Sequence, residues 1–442
     1  MKEHPITPLM PISLTLTLAI ITAKYSYEHL STHLWLIATF LTWGMAALFL
    51  ILGNRFGYTK SHDIHKDNRK SPNRKFGYNI FHQCLFLYLC IFSLSGLTTS
   101  HSIDSCNMPV IIETRQDLSP INKTILSAQT FRKQLEQEMQ SLHIEAQDYA
   151  VISAMALGDK SALDAETKES YSVAGTSHVL AVSGLHIAII FQVILLMLGG
   201  KRKSRLTIII STTAVWAYII LIGMPASAVR SATMITLYSF GLLSRRQGTS
   251  LNVLAFAYVI MLCFNPLSLF DLSFQMSFLA VVSILLFQPL ISRLYAPHHV
   301  YTQWAWQLLS VSLAAQLGTI PIIAYYFGRI SYYSVLTSFV AIPMATLVLY
   351  LCAILFLLCI FSAIPYVSEL ANFALHLTAH CLTSITQFGN TIFHLVTLLP
   401  GATLEGIHLR LLQVLLLYAV IICGYIICRK IERHYNRQVK IK

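Results

Sequence analysis

His178, Ser183, Gly184 and His186 sit inside one apolar stretch, residues 175–198, GTSHVLAVSGLHIAIIFQVILLML. About 20 apolar residues cross the hydrocarbon core of a bilayer. Polar or ionisable groups at that depth face a partner or a water-filled path, so this stretch reads as the wall of something hydrophilic. Ser183 and His186 stand at i, i+3, which puts a hydroxyl and an imidazole on adjacent turns. An activated nucleophile needs its base within such reach, but no carboxylate orienter or oxyanion donors accompany the pair. Core histidines satisfied by neighbours, and a close helix contact at Ser183-Gly184, are the plainer alternatives. No catalytic residue, metal site or cofactor is assigned, and the chain is not expected to be an enzyme.

Four other places break the apolar pattern. In GMPASAVRSATM, Pro225 interrupts a helix and Arg230 opens the next; the arginine either snorkels to the surface or belongs to a polar path. In NPLSLFDLSFQMSFLA, Asp271 either caps a helix or faces that path, and the Gln275 amide one turn deeper needs a partner in a dry environment. In AAQLGTIPIIAYYFGRIS, Gln316, Gly318, Thr319 and Pro321 predict a broken helix, tolerated at membrane depth where it is buried in protein or lines a cavity. Tyr325, Tyr326, Tyr332 and Tyr333 beyond it form either an interfacial aromatic belt or stacking platforms for bases. The fourth break is Ser338 to Pro343, where Pro343 kinks a long apolar stretch. Recurrence on several helices favours one polar cavity over isolated accidents.

The elements that must position these residues are membrane helices. The 442 residues are 55% hydrophobic and 11% charged, with a mean hydropathy of +0.62. The expected fold is an all-α polytopic membrane protein of about 12 transmembrane or partially inserted helices, several of them broken. Their approximate limits are 8–23, 33–52, 79–97, 178–198, 206–224, 227–243, 251–264, 269–291, 304–326, 332–360, 367–397 and 407–428. Residues 8–23 are taken as a retained first span rather than a cleaved leader. Nine cysteines lie mostly in apolar runs and suggest buried thiols rather than a disulfide framework.

Lys and Arg cluster after the second, fourth, sixth and last spans. All four clusters fall on one side, which the positive-inside rule makes the cytoplasm, with both termini there. The expected organisation is three N-terminal spans in 1–97 with a basic cytoplasmic loop at 54–78, a short extracytoplasmic segment at 98–150, a transmembrane domain at 151–430 and a basic tail at 431–442. Phe131, Leu135, Met139 and Leu142 predict an amphipathic outer helix that packs on the bundle. Asp164 predicts the N-cap of a short helix ended at Gly175.

Four of these stretches, with one more at residues 158–161, also carry a likeness. Gly158-Asp159-Lys160-Ser161, His178 to His186, Pro225 to Ala232, Asp271 to Phe278 and Ala315 to Pro321 occur in the order that marks ComEC-type competence proteins. The chain resembles that family over about residues 150–345. The resemblance implies a bacterial inner-membrane channel that takes up single-stranded DNA in natural transformation. It would work with other competence proteins: a DNA receptor and a cytoplasmic helicase or translocation motor, since no nucleotide-binding P-loop occurs here. It further implies that His178, Ser183, Gly184, His186, Arg230, Asp271, Gln275, Gln316, Gly318 and Pro321 line or shape the DNA path.

The chain departs from the family in three ways. Residues 98–150 are too short for a complete OB-like domain. The metallo-β-lactamase-like motif His-x-His-x-Asp-His is absent, His62-Asp63-Ile64-His65 reading as loop, so a channel core without nuclease chemistry is expected. Ser338 stands where the family often has Asn. A small-solute transporter built on the same intramembrane polar groups is the competing reading.

Overall fold

The computed structural model describes residues 9–27, 32, 34–39, 41–42, 88–103, 120–142, 144–199, 205–243, 250–362 and 368–439. The basic loop 54–78, most of the expected span 33–52, the first half of 79–97, the Lys201–Lys203 and Arg245-Arg246 clusters and Cys106 lie outside these residues. Among the described residues the architecture is all-α, apart from one two-stranded antiparallel ribbon that pairs β1 (Ile330–Ser331) with β2 (Thr403–Leu404). The described residues form two compact units, 1–112 with 248–275 and 113–247 with 276–442.

In the first unit, α1 (Leu9–Ser26) packs on the helix Ser250–Phe264. Thr17 Oγ1 lies 2.8 Å from the Tyr258 hydroxyl. The Lys24 ammonium sits 3.6 Å over the Phe270 ring, a favourable cation–π geometry.

The second unit begins with α2 (Pro120–Ser141), α3 (Ala146–Ala156) and α4 (Ala165–Val173). The amphipathic pattern holds in part in α2, which packs on α6: Leu135 and Met139 are buried, and Phe131 is exposed. Leu142, just past the helix, is partly buried against the core. The predicted cap is borne out: Asp164 Oδ1 accepts from the Thr167 amide at 3.1 Å, and Gly175 ends the turn with φ +74, a conformation glycine adopts without strain.

There follow α5 (Gly184–Met197), α6 (Arg205–Leu221) and α7 (Ala226–Leu243). After α8 (Ser250–Phe264) of the first unit come α9 (Leu272–Ile291), α10 (Val300–Phe327), α11 (Ser334–Ser362), α12 (Ser368–Thr397) and α13 (Leu411–Val439).

Among the described residues four helical stretches are long and apolar enough to cross a membrane: Leu272–Leu294, Val300–Phe327, Ser334–Cys359 and Leu411–Glu432. Gly184–Met197, Arg205–Leu221 and Ser250–Phe264 are apolar but shorter. Two expectations change. The organising stretch is helical only from Gly184, because residues 174–183 form a turn fixed by hydroxyl groups of other elements. α10 runs unbroken through Pro321. A proline inside a helix removes one backbone bond, and here neighbouring helices close around the weakened turn.

Candidate functional site

The turn between α4 and α5 is made by residues more than 150 positions downstream. Ser331 Oγ donates to the Val173 carbonyl at 2.7 Å, and Thr337 Oγ1 donates to the Ala174 carbonyl at 2.7 Å. A Cβ on Gly175 would lie 2.5 Å from the Ser334 Cβ, so only glycine lets α11 come this close. Ser334 Oγ in turn accepts from Gln316 Nε2 at 2.9 Å. The motif after residue 175 and the motif around Gln316 are thus joined through one serine.

Helix α5 opens on a reciprocal cap. His186 stands at N3, the place that Glu or Gln takes in a capping box, and its Nδ1 accepts from the Ser183 amide at 3.3 Å. Ser183 Oγ lies 2.8 Å from the same nitrogen. An Nδ1 that accepts from an amide leaves the ring proton on Nε2, and that atom is buried with no partner in hydrogen-bonding geometry. A hydroxyl and an imidazole are therefore in reach of each other, but no carboxylate holds the far side of the ring. His178 is exposed in the preceding turn.

The turn before α5 meets α7 through small residues. Ser227 Oγ donates to the Val182 carbonyl at 2.6 Å. A Cβ on Gly184 would come within 2.9 Å of Ser231 Oγ, which is the close helix contact that Ser183-Gly184 suggested. One residue away, Arg230 is only 6% exposed, so it does not snorkel to solvent. Gly158 of the first motif closes the cluster, a Cβ there meeting Val182 Cγ2 at 3.3 Å. Three of the five sequence motifs thereby touch directly, and the one around Gln316 reaches, through Ser334, Gly175 just before the second.

Gly318 brings further helices together. A Cβ on it would lie 2.6 Å from the Ser283 Cβ and 2.8 Å from the Leu279 carbonyl of α9. Its own carbonyl accepts from the Tyr418 hydroxyl of α13 at 2.9 Å. These contacts lie within one turn of Pro321, where α10 stays helical.

Asp271 and Gln275 fall in the other compact unit. Asp271 is exposed and accepts from the Ser273 amide at 3.2 Å, a local capping bond. Gln275 Nε2 donates to the Leu269 carbonyl at 2.9 Å. A cavity of about 400 Å³ between α11 and α12 is lined by Phe339, Pro343, Met344, Leu347, Ser384 and Phe388, among others, and by none of the site residues.

Two polar clusters on the expected outer side join residues whose pairing the sequence does not show. Arg329, beside β1, makes a two-pronged pair with Glu169 of α4 at 3.0 and 3.1 Å, and also donates to Ser172. The hydrogen bonds from Arg329 hold the Glu169 carboxyl below its ordinary range. Asp148 of α3 is 2% exposed. Its Oδ1 accepts from Asn390 Nδ2 at 3.2 Å, and Asn390 Oδ1 accepts from the Tyr171 hydroxyl at 2.8 Å. Burial pushes the Asp148 carboxyl up. An acid, an amide and a phenol spread over 242 positions leave no local signal; only the apolar neighbours of Asp148 hint at its burial.

Comparison with protein families matches residues 155–430 to the family described as Competence protein. The ComE operon protein 3 of Bacillus subtilis (strain 168) is 31% identical over 199 residues, which are 44% of this chain and 24% of that protein. A protein of Aquifex aeolicus (strain VF5) described as uncharacterized is 32% identical over 162 residues, 37% of this chain and 36% of its own length. The matched stretches thus span about a quarter to a third of these relatives. No solved structure matches.

Proposed function

The chain belongs to the competence protein family, and from that membership we propose that it forms the membrane-embedded core of a channel for single-stranded DNA in natural transformation. The channel lies in the bacterial inner membrane, with several passes and with both termini in the cytoplasm. A DNA receptor delivers the strand from outside, and a cytoplasmic helicase or translocation motor supplies the work. The chain itself guides the strand and performs no chemistry on it.

The observation that carries this reading is the meeting of the family-like motifs around the start of α5. Gly158, Val182, Gly184, Ser227, Ser231 and Gln316 belong to stretches far apart in sequence, yet close contacts and hydrogen bonds join them. Small side chains at such contacts let helix backbones approach closely. Arg230 and His186, both buried, sit at that junction. A buried cation is expensive at membrane depth and faces a partner or a water-filled path; Arg230 then stands at the polyanion's path, and His186 caps the helix that shapes it.

The test is transformation of a deletion strain complemented with this chain, with Arg230→Ala or with His186→Ala, alongside entry of labelled single-stranded DNA into proteoliposomes. Loss of transformation with both folded variants is the expected result. Normal transformation with both overturns the site. Solute flux in the proteoliposomes with no DNA entry overturns the channel in favour of a small-solute transporter.

A further inference from the structure

Helix α12 has three faces, and one of them has no place in lipid. Leu375, Leu382 and Phe393 share a core with Ala341, Met344, Val348, Cys352 and Leu355 of α11. Gly389 seats the Met344 thioether against the α12 backbone. The two helices are 29 and 30 residues long and only five residues of chain separate them. Met344, near the start of α11, meets Gly389, near the end of α12, so they lie antiparallel. A second, exposed face is apolar: Leu370, Phe373, Leu377, Phe388 and Leu395 are each more than half exposed. The third carries Asn372, His376, His380, Gln387, Thr391 and His394, which recur every three, four or seven residues along one side, all exposed.

Helix α11 is long and apolar enough to span a membrane. A helix laid lengthwise against it stands at the same depth instead of resting on the surface. His376 to His394 covers about 27 Å at 1.5 Å per residue, close to the ~30 Å hydrocarbon thickness. Backbone and side-chain polar groups at that depth have to be met by protein or water. The outer end of the stripe is met by protein. Gln387 Nε2 donates to Glu145 at 3.1 Å, and His394 Nε2 lies 3.8 Å from Glu166.

We infer that the polar face of α12 is a wall of the aqueous passage and that its amide, imidazole and hydroxyl groups hydrogen-bond a solvated single strand of nucleic acid moving along it. The inference rests on the channel reading above. Its chemistry follows from what the stripe contains and omits. Residues 371–397 themselves hold no Asp, Glu, Lys or Arg, and the carboxylates named beside the stripe, Glu145 and Glu166, stand at its outer end. Carboxylates would repel phosphates, and a row of fixed cations would hold a polyanion strongly, as salt-dependent phosphate binding shows. Uncharged donors and imidazoles satisfy phosphate and sugar oxygens without fixing them, and phosphate and sugar receive half or more of protein–DNA hydrogen bonds.

The experiment places single cysteines at His376, His380 and Gln387 of the stripe and at Phe373 and Leu395 of the apolar face. The parent is a full chain whose nine native cysteines are replaced and which still supports transformation. Modification by a membrane-impermeant cationic thiosulfonate reagent is then timed in cells, with and without single-stranded DNA. Each variant's thermal unfolding in detergent confirms its fold. Stripe positions are expected to react at least tenfold faster than Phe373→Cys and Leu395→Cys, to be slowed severalfold by DNA, and to lose transformation once modified.

Equal rates on both faces, or silence along the stripe in folded protein, overturn the wet wall. Fast reaction with neither DNA protection nor loss of transformation overturns the strand's path along α12 and leaves the channel function standing. If instead the wild-type chain fails to admit DNA in proteoliposomes, the channel reading fails by itself.

Discussion

Arg329 grips Glu169 through two parallel hydrogen bonds, Nη1 to Oε1 at 3.0 Å and Nη2 to Oε2 at 3.1 Å. The pair ties α4 to the loop that carries β1, and Glu405, beside β2, lies 3.8 Å from the same guanidinium. The carboxylate side chain is 59% exposed, so water screens most of the attraction and Glu169→Gln is expected to lower stability by about 0.5–1 kcal/mol. The Glu169 carboxyl is held below its ordinary 4.5. Its contribution is therefore complete above that value and fades as the pH falls through the lowered one. Thermal unfolding in detergent from pH 7 to pH 3 should show this loss in the parent and not in Glu169→Gln.

Asp148 carries the opposite sign. Burial raises its carboxyl above 3.8, so ionisation works against the fold, and stability present below that value is lost as the pH rises through the raised one. The neutral isostere Asp148→Asn is expected to be as stable as the parent or more so at pH 7. Asp148→Ala, which strips Asn390 of its acceptor and opens a cavity, is expected to lose about 1–3 kcal/mol. Melting of the three proteins at pH 4 and pH 7 checks both the order and the sign. A parent less stable at pH 4 than Asp148→Asn, by the same margin as at pH 7, would refute the assignment.

What could be read from the sequence was what its neighbours in sequence decide. Asp164 caps α4 through a bond to Thr167, three residues on. The long helices α9, α10, α11 and α13 follow from their length and mean apolar composition. The start of α5 at Gly184 was not legible, because the preceding turn is fixed by Ser331, Ser334 and Thr337. Those hydroxyls read locally as ordinary helix residues. Pro321 was misread as a break; α10 stays helical there, beside a turn whose Tyr418 partner comes from 100 positions away. Window averages also treated residues 367–397 as one more apolar span and so hid the polar face of α12.

Gly318 is expected to tolerate no side chain. A Cβ there would meet the Ser283 Cβ at 2.6 Å and the Leu279 carbonyl at 2.8 Å, and the second of these is backbone that moves only with its helix. Gly318→Ala should cost about 1–3 kcal/mol by overpacking, and Gly318→Leu should prevent assembly of α9, α10 and α13. The double variant Gly318→Ala with Ser283→Gly removes the first clash and keeps the second. It should recover part of the lost melting temperature, which separates packing at this contact from a general intolerance of α10 to change.

The Ser183–His186 pair distinguishes a cap from a nucleophile. In the cap, residue 186 is needed as an acceptor for the Ser183 amide, and a glutamine at N3 fills that role in capping boxes generally. His186→Gln is therefore expected to fold and to keep transformation within a fewfold of the parent. His186→Ala, which loses the acceptor and hollows out a fully buried site, should lose about 1–3 kcal/mol and most transformation. Ser183→Thr keeps a capping hydroxyl and should behave like the parent, whereas Ser183→Ala should lose about 0.5–2 kcal/mol. A nucleophile would order these variants differently: His186→Gln would be as dead as His186→Ala, and Ser183→Ala would abolish labelling by a serine-directed fluorophosphonate. The capping role predicts no such labelling in the parent, together with transformation that follows melting temperature across all four variants.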